Sequence, residues 1–212
     1  MHQTRLMPQD HTAPQSGAEP QRNSDEISMI FVCRANRCRS PLAEHIARHR
    51  ASQWGLAVST SSMGFLASGA PTPPAGVQAA AEQDIDLSRH LSQQLDPEQL
   101  RDADVILASG RAEARDLVAK MPELWPRVFT LKQFDAQLGA DPISSEEGFS
   151  SWVLRSGESR SRNVLLGSSS RDDIADPVGR PPRIWRRTIR ELDELIRSVL
   201  GRSAGAIPRA EV

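Results

Sequence analysis

A short apolar segment that runs directly into an arginine-rich loop is the feature that most constrains the fold of this 212-residue chain. Residues 29–32 (MIFV) are apolar and rich in β-forming side chains, which is typical of a fully buried strand. The polar loop 33–40 follows at once and leads to Pro41, a residue suited to the first position of a helix. Residues 42–48 then have a helical pattern. The chain therefore begins its folded part with a strand, a loop and a helix.

Further apolar runs of strand length alternate with helical segments along the chain. The predicted strands are residues 29–32, 56–60, 104–108 and 127–131, and the predicted helices are residues 42–48, 75–83, 111–120 and 182–200. The last helix is the clearest, because apolar residues recur in it at helical spacing. Strands that alternate with helices predict the α/β class: a three-layer sandwich with a central parallel sheet of about four strands and helices on both faces.

The remaining segments contribute little to this predicted core. Residues 1–26 are rich in Gln, Pro, Ser and charge, and are expected to form a disordered leader. Residues 27–200 are expected to form one domain, with an insertion or long loop near residues 135–171, where Ser, Gly, Glu and Arg dominate. Residues 201–212 are expected to be a frayed tail.

Composition excludes several classes of protein. With 26 basic and 27 acidic residues the net charge is −1, which argues against nucleic acid or an acidic membrane as a partner held by bulk electrostatics. Two cysteines cannot form the disulfide framework of a small secreted protein. No apolar run approaches the roughly 18 residues of a membrane span, and the N-terminus lacks a signal-like apolar stretch. We therefore expect a soluble, cytoplasmic protein whose cysteines stay reduced.

The loop that follows the first strand has the composition of an anion site. In an open α/β sheet, ligands bind beyond the carboxyl ends of the strands, and the N–H groups of a loop that enters a helix can surround an anion. Arg39, at the end of the loop, can present two parallel donors to a phosphate. Cys33, at its start, would face the same site, with its thiolate stabilised by the helix N-terminus and by Arg39. The pattern predicts a nucleophile beneath a bound tetrahedral oxyanion.

The cysteines also allow two other interpretations. A lone cysteine after a strand is usually only a small apolar core residue. Cys33, Cys38, His45 and His49 also form a metal-like pattern, but their Cys-to-His spacer is about half of that in a zinc finger. The joint pattern Cys-x5-Arg-Ser between a buried strand and a helix favours the phosphate site, and we expect no metal.

Two motifs together resemble the low-molecular-weight protein tyrosine phosphatase family. The first comprises Val32 and Cys33, Asn36, the run CRSP at residues 38–41, and Ala43 and Glu44. The second is Asp176-Pro177, which comes shortly before the last helix. The resemblance covers about residues 28–200. It implies a cysteine-dependent phosphatase that hydrolyses phosphotyrosine-like monoesters through a phosphocysteine intermediate and needs no cofactor.

The resemblance also implies a role for each matching residue. Cys33 would attack phosphorus, Arg39 would bind the phosphate oxygens, and Ser40 would donate to the Cys33 sulfur. Asp176 would be the general acid, with Asp173 as the fallback. The remaining residues that would bind phosphate or support the loop are Arg34, Ala35, Asn36, Arg37 and Cys38. A phosphorylated protein or a small phosphomonoester would be the substrate, and inorganic phosphate the product.

Some positions depart from the family pattern, and some alternatives stay open. Ala35 stands where the family most often has Gly, and Val178 stands where Tyr or Phe usually walls the ring slot. Cys38 either packs under the loop or captures oxidised Cys33 as a disulfide. An arsenate reductase-like enzyme is a second candidate, although no cysteine follows Cys38. A non-catalytic phosphate- or phosphopeptide-binding protein of the same fold is a third.

Overall fold

The computed structural model describes residues 26–210 as a four-stranded parallel sheet between layers of helices. The strands are β1 (Ile27–Cys33), β2 (Val58–Gly64), β3 (Val105–Ala108) and β4 (Val128–Thr130). They lie in the order β2-β1-β3-β4, and every neighbouring pair is parallel. The predicted fold class is confirmed. The leader predicted for residues 1–26 falls almost entirely outside the described residues.

Seven α-helices and two short 3-10 helices connect and flank these strands in the described part of the chain. The α-helices are α1 (Arg39–Gln53), α2 (Pro74–Ala81), α3 (Pro97–Asp102), α4 (Arg111–Lys120), α5 (Leu131–Ala140), α6 (Phe149–Glu158) and α7 (Pro182–Ser203). The 3-10 helices are Pro122–Arg127 and Arg162–Leu165. Within residues 26–210, no helix is both long and apolar enough to cross a membrane.

The core has two parts, one on each face of the sheet, because successive side chains of a strand point to opposite faces. Met29 and Phe31 of β1 pack in the cluster formed with α1, α5, α6 and α7. Ile30 and Val32 pack in the cluster formed with α3, α4 and the 3-10 helices. Burial on both faces explains why the sequence of β1 is continuously apolar.

The strand order places the loops after β1 and β3 side by side. Val32, near the end of β1, pairs with Ala108, the last residue of β3. The backbone N–H of Ser109 then donates to the backbone O of Val32 at 2.8 Å. The start of α4 therefore lies beside the loop that leads to α1, at the carboxyl edge of the sheet.

The first helix begins two residues earlier than predicted. Pro41 was expected at the first helical position, whereas α1 begins at Arg39. A proline is still compatible with this position, because the first N–H groups of a helix have no partner within the helix.

The long loop predicted near residues 135–171 is wrong, because much of this segment is helical. This segment contains most of α5, all of α6 and a 3-10 helix. Phe149, Trp152 and Val153 of α6 are buried, and the ring of Trp152 contacts Phe134 edge-on, with centroids 5.5 Å apart. Serine, glycine and charged residues that stand between the apolar ones obscured this stripe in the sequence.

The prediction of a frayed tail from residue 201 is also wrong for the residues that the structure describes. Helix α7 continues to Ser203, and the chain after it folds back. Ile207 is only 4% exposed, and the N–H of Ala57 donates to the O of Pro208 at 2.8 Å. Residues 201–210 therefore pack beside the start of β2.

Candidate active site

The site is built on the loop between β1 and α1. Cys33 is the last residue of β1, and Cys38 is the N-cap of α1. Within the described residues, no hydrogen bond uses the backbone N–H groups of residues 35–38. These donors lie at the N-terminus of a 15-residue helix, where the helix dipole favours negative charge. The loop can therefore hold an anion.

Asn36 fixes the shape of this loop. It is fully buried and has a φ of 50°, a left-handed conformation that asparagine adopts more readily than most residues. Its Nδ2 donates to Ser40 Oγ at 2.9 Å and to Ser62 Oγ at 2.8 Å. Its Oδ1 accepts the N–H of Gln93 at 2.7 Å, and its backbone O lies 2.7 Å from Nε2 of His90. Asn36, which was predicted to support the loop, is thus held by hydrogen bonds to α1, to β2 and to the segment 90–93.

Two small residues let the loop pack closely against β2. A Cβ at Gly64 would lie 2.7 Å from the backbone N of Asn36, so only glycine fits there. Ala35 stands where the family pattern has glycine. Its φ is not positive, since Asn36 and Asp84 are the only described non-glycine residues with a positive φ, so the backbone there does not require glycine. This departure from the family pattern is therefore compatible with the loop.

The sulfur of Cys33 is buried at the start of the loop and has a polar partner. The hydroxyl of Ser40 donates to Cys33 Sγ at 3.1 Å. Ser40 also accepts from Asn36, which donates to Ser62, and Ser62 donates to Glu44 Oε2 at 2.6 Å. A hydrogen bond to the sulfur stabilises a thiolate there, and the chain of bonds behind it fixes the hydroxyl.

Arg39 lies beside the loop and contacts two carboxylates. Its side chain is mostly buried; Nη2 lies 3.3 Å from Glu113 Oε1 and 3.0 Å from Asp176 Oδ2. Nη1 donates to the backbone O of Ile174 at 3.3 Å. Its Nε is buried and has no hydrogen-bond partner among the described residues. The guanidinium is thus fixed on one side and keeps a donor for an anion.

Asp176 is the acidic residue that the structure brings to the loop. Half of its side chain is exposed, one carboxylate oxygen contacts Arg39, and the other accepts the N–H of Val178 at 3.0 Å. The fallback acid, Asp173, serves the fold instead. It accepts the N–H groups of Arg111 at 2.7 Å and Ser169 at 2.8 Å, and so holds the start of α4.

Cys38 is buried in the core cluster that includes α1. Burial, and then the charges of Asp176 and Cys33, raise the pKa of the Cys38 thiol to about 12. Cys38 is therefore a neutral thiol at neutral pH, which agrees with the packing interpretation. Among the described residues, no three His, Cys, Asp or Glu side chains are grouped so that they could hold a metal ion.

The other two predicted arginines contact neighbouring segments rather than Asp176. Arg34 is exposed; its Nη1 donates to Asp116 of α4 at 3.0 Å, and its guanidinium lies 5.6 Å from the ring centre of Phe65. The Nε of Arg37 donates to the backbone O of Pro71 at 2.8 Å. Both side chains link the loop to the surrounding surface.

Sequence reasoning missed Glu113 and His90. Glu113 is a buried carboxylate in the first turn of α4, and it contacts Arg39 although 74 residues separate them. The signal that could have found it is its position just after β3, at the same edge of the sheet as Cys33. His90 lies in an irregular segment, and nothing in its sequence neighbourhood predicted its contact with Asn36.

A parallel α/β sheet that brings a cysteine, an arginine and a carboxylic acid to one loop has the groups that a cysteine-dependent phosphatase needs. A sequence model of the family "low molecular weight phosphotyrosine protein phosphatase" matches residues 28–165. The chain belongs to this family, and the resemblance seen in its motifs is confirmed. It is a phosphoric monoester hydrolase by family. The matched span ends before Asp176, so the assignment of that residue depends on geometry.

Individual relatives agree with this placement. A protein-arginine-phosphatase of Bacillus subtilis is 31% identical over 175 residues, which is 82% of this chain and 94% of the relative. A low molecular weight protein-tyrosine-phosphatase of Escherichia coli is 28% identical over 108 residues, 51% of this chain and 71% of the relative. The crystal structure of a low molecular weight protein tyrosine phosphatase from T. tengcongensis aligns with a TM-score of 0.64 and 28% identity, over 83% of this chain and 99% of that one.

Proposed function

We propose that this phosphatase removes phosphate from phosphotyrosine side chains of proteins through a phosphocysteine intermediate on Cys33. The proposal depends on one observation: a thiol, a guanidinium and a carboxylate lie together at one loop. Ser40 donates to the Cys33 sulfur at 3.1 Å, and Arg39, at the end of the same loop, lies 3.0 Å from Asp176. Nucleophile, phosphate ligand and acid are thus available at a single anion site.

In the first step, the Cys33 thiolate attacks phosphorus, and an S–P bond forms as the bond to the leaving oxygen breaks. Asp176 gives its proton to that oxygen, so the alcohol leaves neutral. The loop N–H groups and the guanidinium of Arg39 stabilise the charge on the equatorial oxygens. Nε of Arg39, which is buried without a partner among the described residues, is the donor that supports this role.

In the second step, water attacks the phosphorus of phosphocysteine and the S–P bond breaks. Asp176, now a carboxylate, accepts a proton from the water, and inorganic phosphate is the product. The leaving group is the Cys33 thiolate, and the hydrogen bond from Ser40 stabilises its charge as it departs. The residues provide each proton and ligand that this reaction needs, without a metal or an organic cofactor.

We infer that the enzyme works in the cytoplasm on phosphorylated proteins. Two reduced cysteines, one of them the nucleophile, suit a reducing compartment. The relatives named above carry protein phosphatase names, which supports a protein substrate. We expect neither nucleic acid nor a membrane as a partner, in line with the net charge of −1.

Phosphoarginine in proteins is a second candidate substrate. The B. subtilis relative that aligns over most of this chain is a protein-arginine-phosphatase. In addition, the residue after Asp176-Pro177 is Val178, which is 51% exposed, where an aromatic side chain was expected to wall the ring slot. An aliphatic wall holds a phosphotyrosine ring less well, because it lacks the stacking that an aromatic side chain provides.

The test is hydrolysis of para-nitrophenyl phosphate in the presence of a chelator. We expect turnover by the wild type, essentially none by Cys33→Ser, and a loss of about 10²–10⁴-fold in kcat by Asp176→Asn, which removes the acid. Asp173→Asn, a matched change at the neighbouring carboxylate, should keep the wild-type kcat. Full activity in Cys33→Ser would overturn the proposal.

The same enzyme, given peptides that carry either phosphotyrosine or phosphoarginine at one position, separates the two substrate classes. A kcat/KM that is higher for the phosphotyrosine peptide supports the first proposal. A higher kcat/KM for the phosphoarginine peptide favours the second candidate. Phosphate binding without hydrolysis of any substrate would indicate the non-catalytic alternative, and arsenate-dependent thiol oxidation the reductase.

A further inference from the structure

The arginines of the catalytic loop differ in how their charges are balanced. Arg34 forms an ion pair with Asp116 at 3.0 Å. Arg39 is shared between two carboxylates, at 3.3 and 3.0 Å. Arg37 forms no ion pair with any of the residues 26–210 that the structure describes. The loop therefore has one cation that no carboxylate in this part of the chain neutralises.

A backbone carbonyl holds the side chain of Arg37. Its Nε donates to the O of Pro71 at 2.8 Å, in the segment that follows β2. Nη1 and Nη2 have no hydrogen-bond partner among the described residues and are open to solvent. The guanidinium is thus held at Nε and keeps two terminal donors, which suit the two oxygens of a carboxylate.

Arg37 belongs to the site where the substrate phosphate would bind. It lies between Cys33 and Arg39 on the same short loop. The Cys38 thiol, at the N-cap of α1, also indicates that these groups are close together. Burial has the largest effect on its pKa, which it raises, and the charges of Asp176, Cys33, Arg39 and Arg37 act on the same thiol in that order. Because charges act strongly only at short range, the cation of Arg37 lies near the nucleophile, the phosphate ligand and the acid.

The carboxylates near the loop lie on the side opposite to the one that holds Arg37. Pro71, its partner, follows β2, and β2 and β3 lie on opposite sides of β1. Glu113 and Asp116 belong to α4, which follows β3, and Asp176 contacts the same arginine as Glu113. An acidic side chain of a substrate is repelled by these carboxylates and attracted by the cation on the β2 side.

We propose that Arg37 selects substrates with a glutamate or aspartate next to the phosphorylated residue, by binding that carboxylate through Nη1 and Nη2. The inference deepens the proposed function and rests on it, since only a phosphate bound at the loop brings the neighbouring residue to Arg37. In the complex, Arg39 and the loop N–H groups hold the phosphate, and Arg37 holds the carboxylate. A segment that is neutral or basic around the phosphorylated residue is then a poorer substrate.

The experiment uses two peptides that carry the same phosphorylated residue, whichever of phosphotyrosine and phosphoarginine the enzyme hydrolyses faster. In one peptide, glutamates occupy the two positions on either side of that residue; in the other, glutamines of nearly the same shape replace them. The kcat/KM for each peptide is measured with the wild type, Arg37→Gln and Arg34→Gln. Arg34→Gln is the matched control, because it removes an equal charge from the same loop, where that charge is already paired with Asp116.

We expect the wild type to prefer the glutamate peptide about fivefold, the effect of one ion pair at a partly exposed site. The preference should disappear in Arg37→Gln and persist in Arg34→Gln. The ratio between the peptides is decisive, because a role of Arg37 in phosphate binding or in the shape of the loop alone would lower both values of kcat/KM equally. If Arg37→Gln hydrolyses neither peptide, the ratio of their dissociation constants is measured on Cys33→Ser with and without Arg37→Gln, and the same outcomes apply.

Equal kcat/KM of the wild type for the two peptides would overturn the inference, whatever the variants do. A preference that survives in Arg37→Gln, or that falls as much in Arg34→Gln, would overturn it as well. Absence of hydrolysis of both peptides and of para-nitrophenyl phosphate by the wild type would instead overturn the proposed function, and the selection by Arg37 with it.

Discussion

The guanidinium of Arg39 is shared between two carboxylates in different surroundings. Glu113 is buried on α4, whereas half of the Asp176 side chain is exposed on the segment before α7. A bound phosphate would compete with Asp176 for Nη2 of Arg39, because an exposed carboxylate is easier to displace than a buried one. Glu113 would keep its contact. We therefore expect Glu113 to position Arg39 both in the free enzyme and in the complex with phosphate.

Substitution of Glu113 tests this role at the level of a single residue. Hydrogen bonds to charged groups contribute about 1.5–3 kcal/mol, so Glu113→Ala should lower kcat/KM by about tenfold or more. Glu113→Gln keeps a hydrogen-bond acceptor for Arg39 and should lose less. The measurements are steady-state kinetics and the inhibition constant of vanadate, together with urea unfolding to establish that both variants fold. Wild-type kinetics in Glu113→Ala would show that Arg39 is held without this contact.

At the level of elements, the helices differ in how clearly the sequence encodes them. Helix α7 has an uninterrupted apolar stripe and was predicted within a few residues. Helix α5 begins with a capping box, in which Thr130 Oγ1 accepts the N–H of Gln133 at 3.1 Å. The sequence pattern Thr-x-x-Gln is typical of a capping box and could have predicted where this helix begins. Helix α6 follows Gly148, its N-cap, and contains Gly157. Its helix propensity is therefore low, and burial of its apolar side chains decides its structure.

Gly157 shows how tightly α6 packs, and this leads to a prediction. A Cβ on Gly157 would lie 1.8 Å from the backbone O of Pro126, in the 3-10 helix before β4. Gly157→Ala should therefore lower the free energy of unfolding by about 1–3 kcal/mol or more, even though alanine favours helix by about 1 kcal/mol. Urea unfolding measures the change. Gly205→Ala, at a position after α7 with nothing within 4 Å and no positive φ, is the control and should stay close to the wild type. If Gly157→Ala matches the wild type in stability, α6 does not pack as described.

At the level of the whole molecule, the sheet brings together three segments that are far apart in the chain. The loop after β1 provides Cys33 and Arg39, the first turn of α4 provides Glu113, and the segment before α7 provides Asp176. Arg39 and Asp176 are 137 residues apart in sequence and 3.0 Å apart in space. The parallel order of β1 and β3 makes this possible, because it places their carboxyl ends at the same edge.

The features that sequence reasoning predicted are those encoded in short contiguous segments. Cys33 and Arg39 flank one short loop between a buried strand and a helix, so their proximity follows from local structure. The features that it missed depend on distant partners. The contact of Glu113 with Arg39 requires the strand order, and the packing of Ile207 requires the end of the chain to return to β2. Composition alone also gave the wrong prediction for α6, because its polar surface residues are typical of a loop.

The most direct test of the central claim is to look for the covalent intermediate. The enzyme is mixed with a phosphomonoester, quenched with denaturant within a turnover, digested and examined by mass spectrometry. The variant Ser40→Ala lacks the hydroxyl that donates to the departing sulfur, so it should accumulate more of the intermediate. We predict one phosphoryl group on the peptide that contains Cys33, and none when Cys33→Ala is treated in the same way. Turnover by the wild type with no phosphoryl group on Cys33 at any quench time, or full turnover by Cys33→Ala, would contradict the account.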